Sequence, residues 1–145
     1  MLTRLIKSSL CLFLLVGCAK PYPPPRVDPA FEEVLQSYKT DLLAYRGIVY
    51  FDHVSIVFAD IHTNTNPAVG YCYMGKTQLI EVDRHFWDAI DQDQKTVLLY
   101  HELGHCDLML DHTDGLNIMN PYLINGWMFA NNRDLFLRML FLEGK

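Results

Sequence analysis

The chain has 145 residues, half of them hydrophobic and a fifth charged, which is typical of one globular domain and excludes a disordered or collagen-like chain. Its formal net charge is −5, with 12 Lys and Arg against 17 Asp and Glu, so nucleic-acid binding through phosphate neutralisation is disfavoured. Rossmann and TIM-barrel enzymes need a longer chain than this.

The N-terminus carries an export signal. Two basic residues precede an apolar run, residues 10–16, that is too short to span a bilayer comfortably. The run ends in Val16-Gly17-Cys18, which resembles the lipobox of bacterial lipoproteins. The resemblance implies a signal peptide at residues 1–17 and a lipid on Cys18. Because Ala19 follows, it also implies the outer membrane if the source is a Gram-negative bacterium. An ordinary secretory signal is the alternative, and either one places the mature protein outside the cytoplasm.

A proline-rich segment separates this signal from the remainder of the chain. Five of the residues between Lys20 and Pro29 are prolines, a composition typical of an extended, semi-rigid spacer. We therefore predict a spacer at residues 18–29 that holds the protein off a membrane. Residues 30–145 then form one domain, which is long enough for a single hydrophobic core.

Helix and strand patterns alternate in the first half of this domain. Phe31 to Tyr45 has apolar residues at helical spacing, and Gly47 follows it as a helix terminator. The β-branched and aromatic run from Ile48 to Ile61 predicts one or two strands. Two further strands are expected on either side of Gly75-Lys76, as a hairpin, in the ranges 68–74 and 77–82.

Helices dominate the second half of the predicted domain. Phe86 to Ile90 is a short helical or irregular piece, and Asp91 to Leu110 is a long helix that is apolar on most sides and therefore central. A loop at residues 111–122 leads to a C-terminal helix, Asn132 to Leu142. The predicted fold class is α+β, with a twisted sheet backed by the N-terminal and central helices.

The central helix contains the most informative motif, His101-Glu102-Leu103-Gly104-His105. Residues four apart lie on one face of a helix, so two imidazoles there can reach one Zn²⁺. Glu102 lies beside them and is the candidate general base for water activated by the metal. Two histidines and a glutamate on an apolar helix would otherwise be buried at a cost in free energy. We therefore predict one zinc ion per chain.

With this motif the chain resembles the metzincin-like zincin metallopeptidases. Their longer pattern, His-Glu-x-x-His-x-x-Gly-x-x-His, differs here in two ways: Leu108 stands in place of the glycine, and His112 comes one residue late. The resemblance implies His112 as the third ligand, and Asp111, at the usual spacing, remains the alternative. It also implies a small zincin-like domain whose edge strand, residues 68–74, binds extended peptide.

A second segment strengthens the resemblance. Ile118-Met119-Asn120-Pro121-Tyr122 is similar to a Met-turn, with Met119 as an apolar floor beneath the metal. Tyr122 is a candidate contact to a substrate oxyanion, and a packed aromatic residue with a solvated hydroxyl is the alternative.

The cysteines predict one disulfide. Cys11 would leave with the signal peptide and Cys18 would carry lipid, so Cys72 and Cys106 remain as an even pair in an oxidising compartment. Two buried free thiols are the alternative. In the zincin arrangement a bridge between them would tie the rim of the cleft to the zinc helix.

These inferences predict a membrane-anchored zinc endopeptidase that acts on polypeptides of the envelope or outside the cell. The alternative is a zinc-binding lipoprotein without catalytic activity, because a fold does not guarantee an activity. The sequence does not identify the substrate, the cleavage preference or the oligomeric state.

Overall fold

A three-stranded mixed sheet and five α-helices make up the described part of the computed structural model, residues 24–47, 51, 53–63 and 65–143. The fold is α+β, as the sequence predicts. The signal peptide and Cys18 lie outside the described residues. Among the described helices, none is both long enough and apolar enough to cross a membrane.

The first helix lies close to its predicted position. A 3₁₀ turn at Pro29–Phe31 leads into α1, Glu32–Arg46. Gly47 ends it with φ 75°, a left-handed conformation that favours glycine, and its N–H donates to the Leu43 carbonyl. The helix buries one side chain per turn or more against the core: Val34, Leu35, Tyr38 and Leu42.

The sheet has the strand order β1-β3-β2, with β1 at Val54–Ala59, β2 at Gly70–Tyr73 and β3 at Gln78–Asp83. β2 and β3 form the predicted antiparallel hairpin, whereas β1 lies parallel to β3. The end of the predicted spacer covers the outer side of β1, since Asp28 N–H donates to the Ile56 carbonyl at 2.9 Å. β2 is the opposite edge, and no described residue pairs with its outer side.

The central helix α3, Gln92–Cys106, follows the short helix α2, Arg84–Ala89. Asp91 caps the start of α3 by accepting a hydrogen bond from Gln94 N–H. Most of α3 is buried, as its apolar composition predicts, because the sheet, α1 and the C-terminal helices all contact it. The helix ends four residues before the predicted Leu110.

The C-terminal region contains more helix than predicted. α4, Gly126–Asn131, was missed because it has only six residues and no extended apolar pattern, although Asn125 caps it. α5, Arg133–Arg138, continues into a π-helical turn at Met139–Glu143. Phe136 and Leu140 face the core, whereas Leu135 is 56% exposed.

Candidate metal centre

Three histidine side chains converge at one point. His101 and His105 come from successive turns of α3, and His112 comes from the loop that follows it. Their Nε2 atoms lie 3.2 Å (His101 to His105), 3.1 Å (His105 to His112) and 3.2 Å (His112 to His101) apart. A tetrahedral zinc ion with bonds of about 2.0–2.1 Å holds its nitrogen ligands about 3.3–3.4 Å apart, so the donor triangle fits such an ion.

The backbone orients two of these imidazoles. His101 Nδ1 lies 2.7 Å from the Ile118 carbonyl and His105 Nδ1 lies 2.6 Å from the Leu110 carbonyl. A carbonyl oxygen only accepts, so both Nδ1 atoms carry hydrogen and donate it. In the neutral ring the Nε2 lone pair is then free and directed at the other histidines.

Burial keeps these imidazoles neutral. It lowers the pKa of His101 to about 4 and lowers that of His105, outweighing the carbonyl contacts. Unprotonated Nε2 atoms of His101 and His105 cannot hydrogen-bond to each other although they are in contact. Three Nε2 lone pairs that converge at a partly buried point form a ligand set that suits a divalent cation such as zinc.

The turn after α3 explains the unusual spacing of His112. Met109 has φ 57°, the left-handed conformation that glycine adopts most easily, so the chain bends at Met109 and not at Leu108. Compared with the metzincin pattern, the chain therefore has one more residue between His105 and the bend. His112 follows the bend by three residues, as the third histidine of that pattern follows its glycine. This brings His112, and not Asp111, into the cluster of three donors.

The segment around Met119 packs against the helix that carries two of the histidines. Met119 is buried, and its Sδ lies 2.3 Å from the point where a Cβ on Gly104 would stand. Only a residue without a side chain at position 104 leaves this space for the thioether. The same segment holds the loop of His112, because Thr113 N–H donates to the Met119 carbonyl at 3.0 Å.

Glu102 is buried, with 5% of its surface exposed, and no described residue forms a hydrogen bond or ion pair with its carboxylate. This burial raises the pKa of Glu102 to about 8. A cation held by the histidines would oppose that rise, since it favours the charged carboxylate.

A cleft of about 620 Å³ runs between β2 and the metal centre. Glu102 and the three histidines line it, together with residues of the edge strand and Pro121, Tyr122 and Leu123. Tyr122 is 84% exposed. A second cavity, about 660 Å³, lies behind the loop of His112 and includes none of the three histidines.

The edge strand presents main-chain groups to this cleft. Asp83 N–H donates to the Val69 carbonyl, so these two residues form a hydrogen-bonded pair of the antiparallel ladder. Alternation along the ladder then directs the N–H and C=O groups of Gly70 and Cys72 away from β3, to the unpaired side.

A disulfide connects this strand to α3, the helix that carries His101 and His105. Cys72 on β2 and Cys106 at the end of α3 are bonded, with Cα atoms 5.6 Å apart. The even cysteine pair predicts this pairing, and the structure contains it. The bridge fixes the edge of the sheet beside His105, the neighbour of Cys106 in the chain.

The structure adds supporting residues that sequence reasoning missed. The carbonyls of Leu110 and Ile118 carry no side-chain signal, so no pattern could identify them as partners of the histidines. Gly104 lies between Glu102 and His105 in the motif, and a glycine inside a buried helix was an available signal of close packing.

One comparison with known proteins gives a match. A protein family described as "Putative phage metallopeptidase" matches residues 23–121, which is more than half of the 145-residue chain. The matched segment includes the three histidines, Glu102 and Met119. No curated protein and no solved structure matches the chain.

Proposed function

The chain belongs to this phage metallopeptidase family, and on that premise we propose that it is a membrane-anchored zinc endopeptidase of metzincin-like fold. The observation that carries the proposal is the convergence of three Nε2 atoms in an open cleft, beside a carboxylate with which no described residue pairs. Three histidines that leave a further coordination position are typical of catalytic zinc sites, whereas structural sites are closed by four protein ligands.

The histidines would hold the ion, and the carbonyls of Ile118 and Leu110 would keep their rings in the required tautomer and orientation. When bound, zinc supplies Lewis acidity that acidifies water and polarises a peptide carbonyl. Glu102 then receives a proton on its carboxylate and passes it to the leaving amine. Burial without a hydrogen-bond partner among the described residues makes the carboxylate of Glu102 a stronger base, which favours the first of these two transfers.

An extended polypeptide is the substrate that fits the cleft. The outward main-chain groups of Gly70 and Cys72 offer donors and acceptors to a peptide strand, which would pair as an additional strand of the sheet. Tyr122 lines the same cleft with an exposed side chain and is the candidate contact to the carbonyl oxygen of the scissile bond. The packing of Met119 against Gly104 supports the Met-turn interpretation and therefore the metzincin-like assignment.

The cellular location follows from the N-terminal sequence alone. Lipid on Cys18 and the proline-rich spacer would hold the cleft near a membrane face, which is that of the outer membrane if the source is Gram-negative. Natural substrates would then be envelope or extracellular polypeptides. The test is expression of the full chain and of C18A, followed by fractionation and mass spectrometry of the N-terminus. Wild-type protein without an acyl group would contradict the anchor.

The experiment that tests the activity compares wild type with E102Q on a diverse library of extended peptides, with zinc measured in both proteins. Glutamine keeps the size of the side chain but removes the base, so we expect zinc to remain while cleavage falls by about 10²–10⁴-fold. E33Q is the matched control, because Glu33 is an exposed residue of α1, remote in sequence from the motif.

Two outcomes would contradict the mechanism. Equal cleavage by wild type and E102Q would remove Glu102 from the reaction. A zinc-loaded wild type that cleaves no peptide of the library would favour the alternative, a zinc-binding lipoprotein without catalytic activity.

A further inference from the structure

Gly70 on the edge strand lies directly against the carboxylate of Glu102. A Cβ built on Gly70 would stand 2.4 Å from Oε1, 2.8 Å from Cδ and 2.9 Å from Cγ of Glu102. Carbon and oxygen atoms that are not bonded normally stay more than 3 Å apart. The volume that a side chain at position 70 would need is therefore already occupied by the end of the Glu102 side chain.

The edge strand cannot easily move away to make room. β2 is paired with β3 through residues 70–73, and the Val69 carbonyl accepts a further hydrogen bond from Asp83 N–H at 2.9 Å. Two residues beyond Gly70, the Cys72–Cys106 disulfide attaches the strand to α3, the helix that carries Glu102. The strand is thus held to β3 on one side of the contact and to α3 on the other.

The carboxylate is the member of this pair that can give way. Glu102 is buried, and no described residue fixes its oxygens by a hydrogen bond or an ion pair. Packing against the backbone of Gly70 is therefore a contact that limits where its carboxylate can lie. A methyl group at position 70 would displace the carboxylate by roughly 1 Å, because it would stand 2.4 Å from Oε1 and an ordinary contact begins at about 3.4 Å.

We propose that Gly70 is a positioning residue for Glu102: the absent side chain provides the space in which the carboxylate is held at the floor of the cleft. The catalytic consequence rests on the proposed function, in which Glu102 moves the proton. A peptide strand paired with the outer side of β2 would cross the same glycine, so one residue would set the places of both the base and the substrate main chain.

The first experiment measures the contact without using activity. The melting temperatures of wild type, G70A, E102A and the G70A/E102A double variant form a double-mutant cycle, recorded with a metal chelator present. In the wild-type background we expect G70A to lower the melting temperature by roughly 4–8 °C, because the methyl group overpacks the site. In the E102A background the same change should cost nothing, since the obstructing carboxylate is gone.

The second experiment separates positioning from folding. In zinc-loaded full-length protein, G70A should reduce kcat by about 100-fold, as expected for a base displaced by roughly 1 Å, while KM changes by less than about threefold and zinc content stays at one. G75A is the matched control. Gly75 lies in the turn between β2 and β3, where a Cβ would meet only the Thr77 carbonyl at 3.6 Å, so its kcat should equal that of wild type.

A shorter acid should partly restore the crowded site. E102D withdraws the carboxylate by one methylene, so G70A/E102D should retain more kcat than the product of the two single losses predicts. An additive thermal cycle would overturn the contact, and G70A with wild-type kcat would overturn the positioning role. If wild type cleaves no peptide, the peptidase proposal fails while the thermal cycle still decides whether Gly70 holds Glu102.

Discussion

Replacement of Gly104 by alanine tests how closely the segment around Met119 packs against α3. Alanine favours a helix over glycine by about 1 kcal/mol, so an unobstructed G104A would be more stable than wild type. The structure predicts the opposite sign. The new Cβ would stand 2.3 Å from Sδ and 3.0 Å from Cε of Met119, and 3.4 Å from Cδ1 of Leu140.

The size of the effect follows from these contacts. Overpacking a buried site costs about 1–3 kcal/mol. Subtracting the gain in helix propensity leaves a net loss of roughly 0–2 kcal/mol in the free energy of unfolding. In an M119A background the obstruction is absent, so G104A should there be stabilising by about 1 kcal/mol. The coupling between the two substitutions should therefore be about 1–3 kcal/mol.

Urea denaturation of the four proteins, without metal, measures this coupling. Zinc affinity is the second measurement. Displacing Met119 also shifts the neighbouring Ile118 carbonyl, which orients His101, so G104A should bind zinc about 10–100-fold more weakly. Substitutions that prove additive within about 0.5 kcal/mol would refute the reasoning, because the thioether would then not be confined by the helix.

Three further predictions concern the ligands, the bend and the disulfide. H112A should lose stoichiometric zinc on dialysis while D111A retains it, as elemental analysis of both proteins will show. M109G should raise the free energy of unfolding by about 0.5–1 kcal/mol, because Met109 is strained at φ 57° and mostly exposed, and unchanged stability would argue against that bend. The C72A/C106A double variant should lose about 4 kcal/mol in urea denaturation, since the bridge closes a loop with a sequence separation of 34. Wild type treated with dithiothreitol is not an adequate substitute, because that reagent also binds zinc.

Local sequence patterns were sufficient to predict much of the secondary structure. The amphipathic spacing of α1, its stop at Gly47 and the hairpin at Gly75-Lys76 depend on neighbours in the sequence, and the structure has all three. The end of α3 was predicted four residues too late, because apolar residues continue to Leu110 after the backbone has turned at Met109. Helical periodicity records which side chains are buried and does not record a change of backbone conformation.

The candidate ligands could also be predicted from the sequence, because two histidines one helical turn apart and a glutamate beside them have a fixed geometry on any helix. The surroundings of these side chains could not be predicted in this way. The choice between Asp111 and His112 depends on where the chain bends, and the carbonyls that orient His101 and His105 are present in every residue.

The pairing of β1 parallel to β3, and the contact of Gly70 with Glu102, join residues 24 and 32 positions apart. Such contacts form only when separate elements pack into one core, so they belong to the tertiary structure. The sequence specifies the chemical groups and the local elements that carry them, since both follow from short-range sterics and periodicity. Which main-chain atoms and which glycines face those groups is decided by packing over long sequence separations.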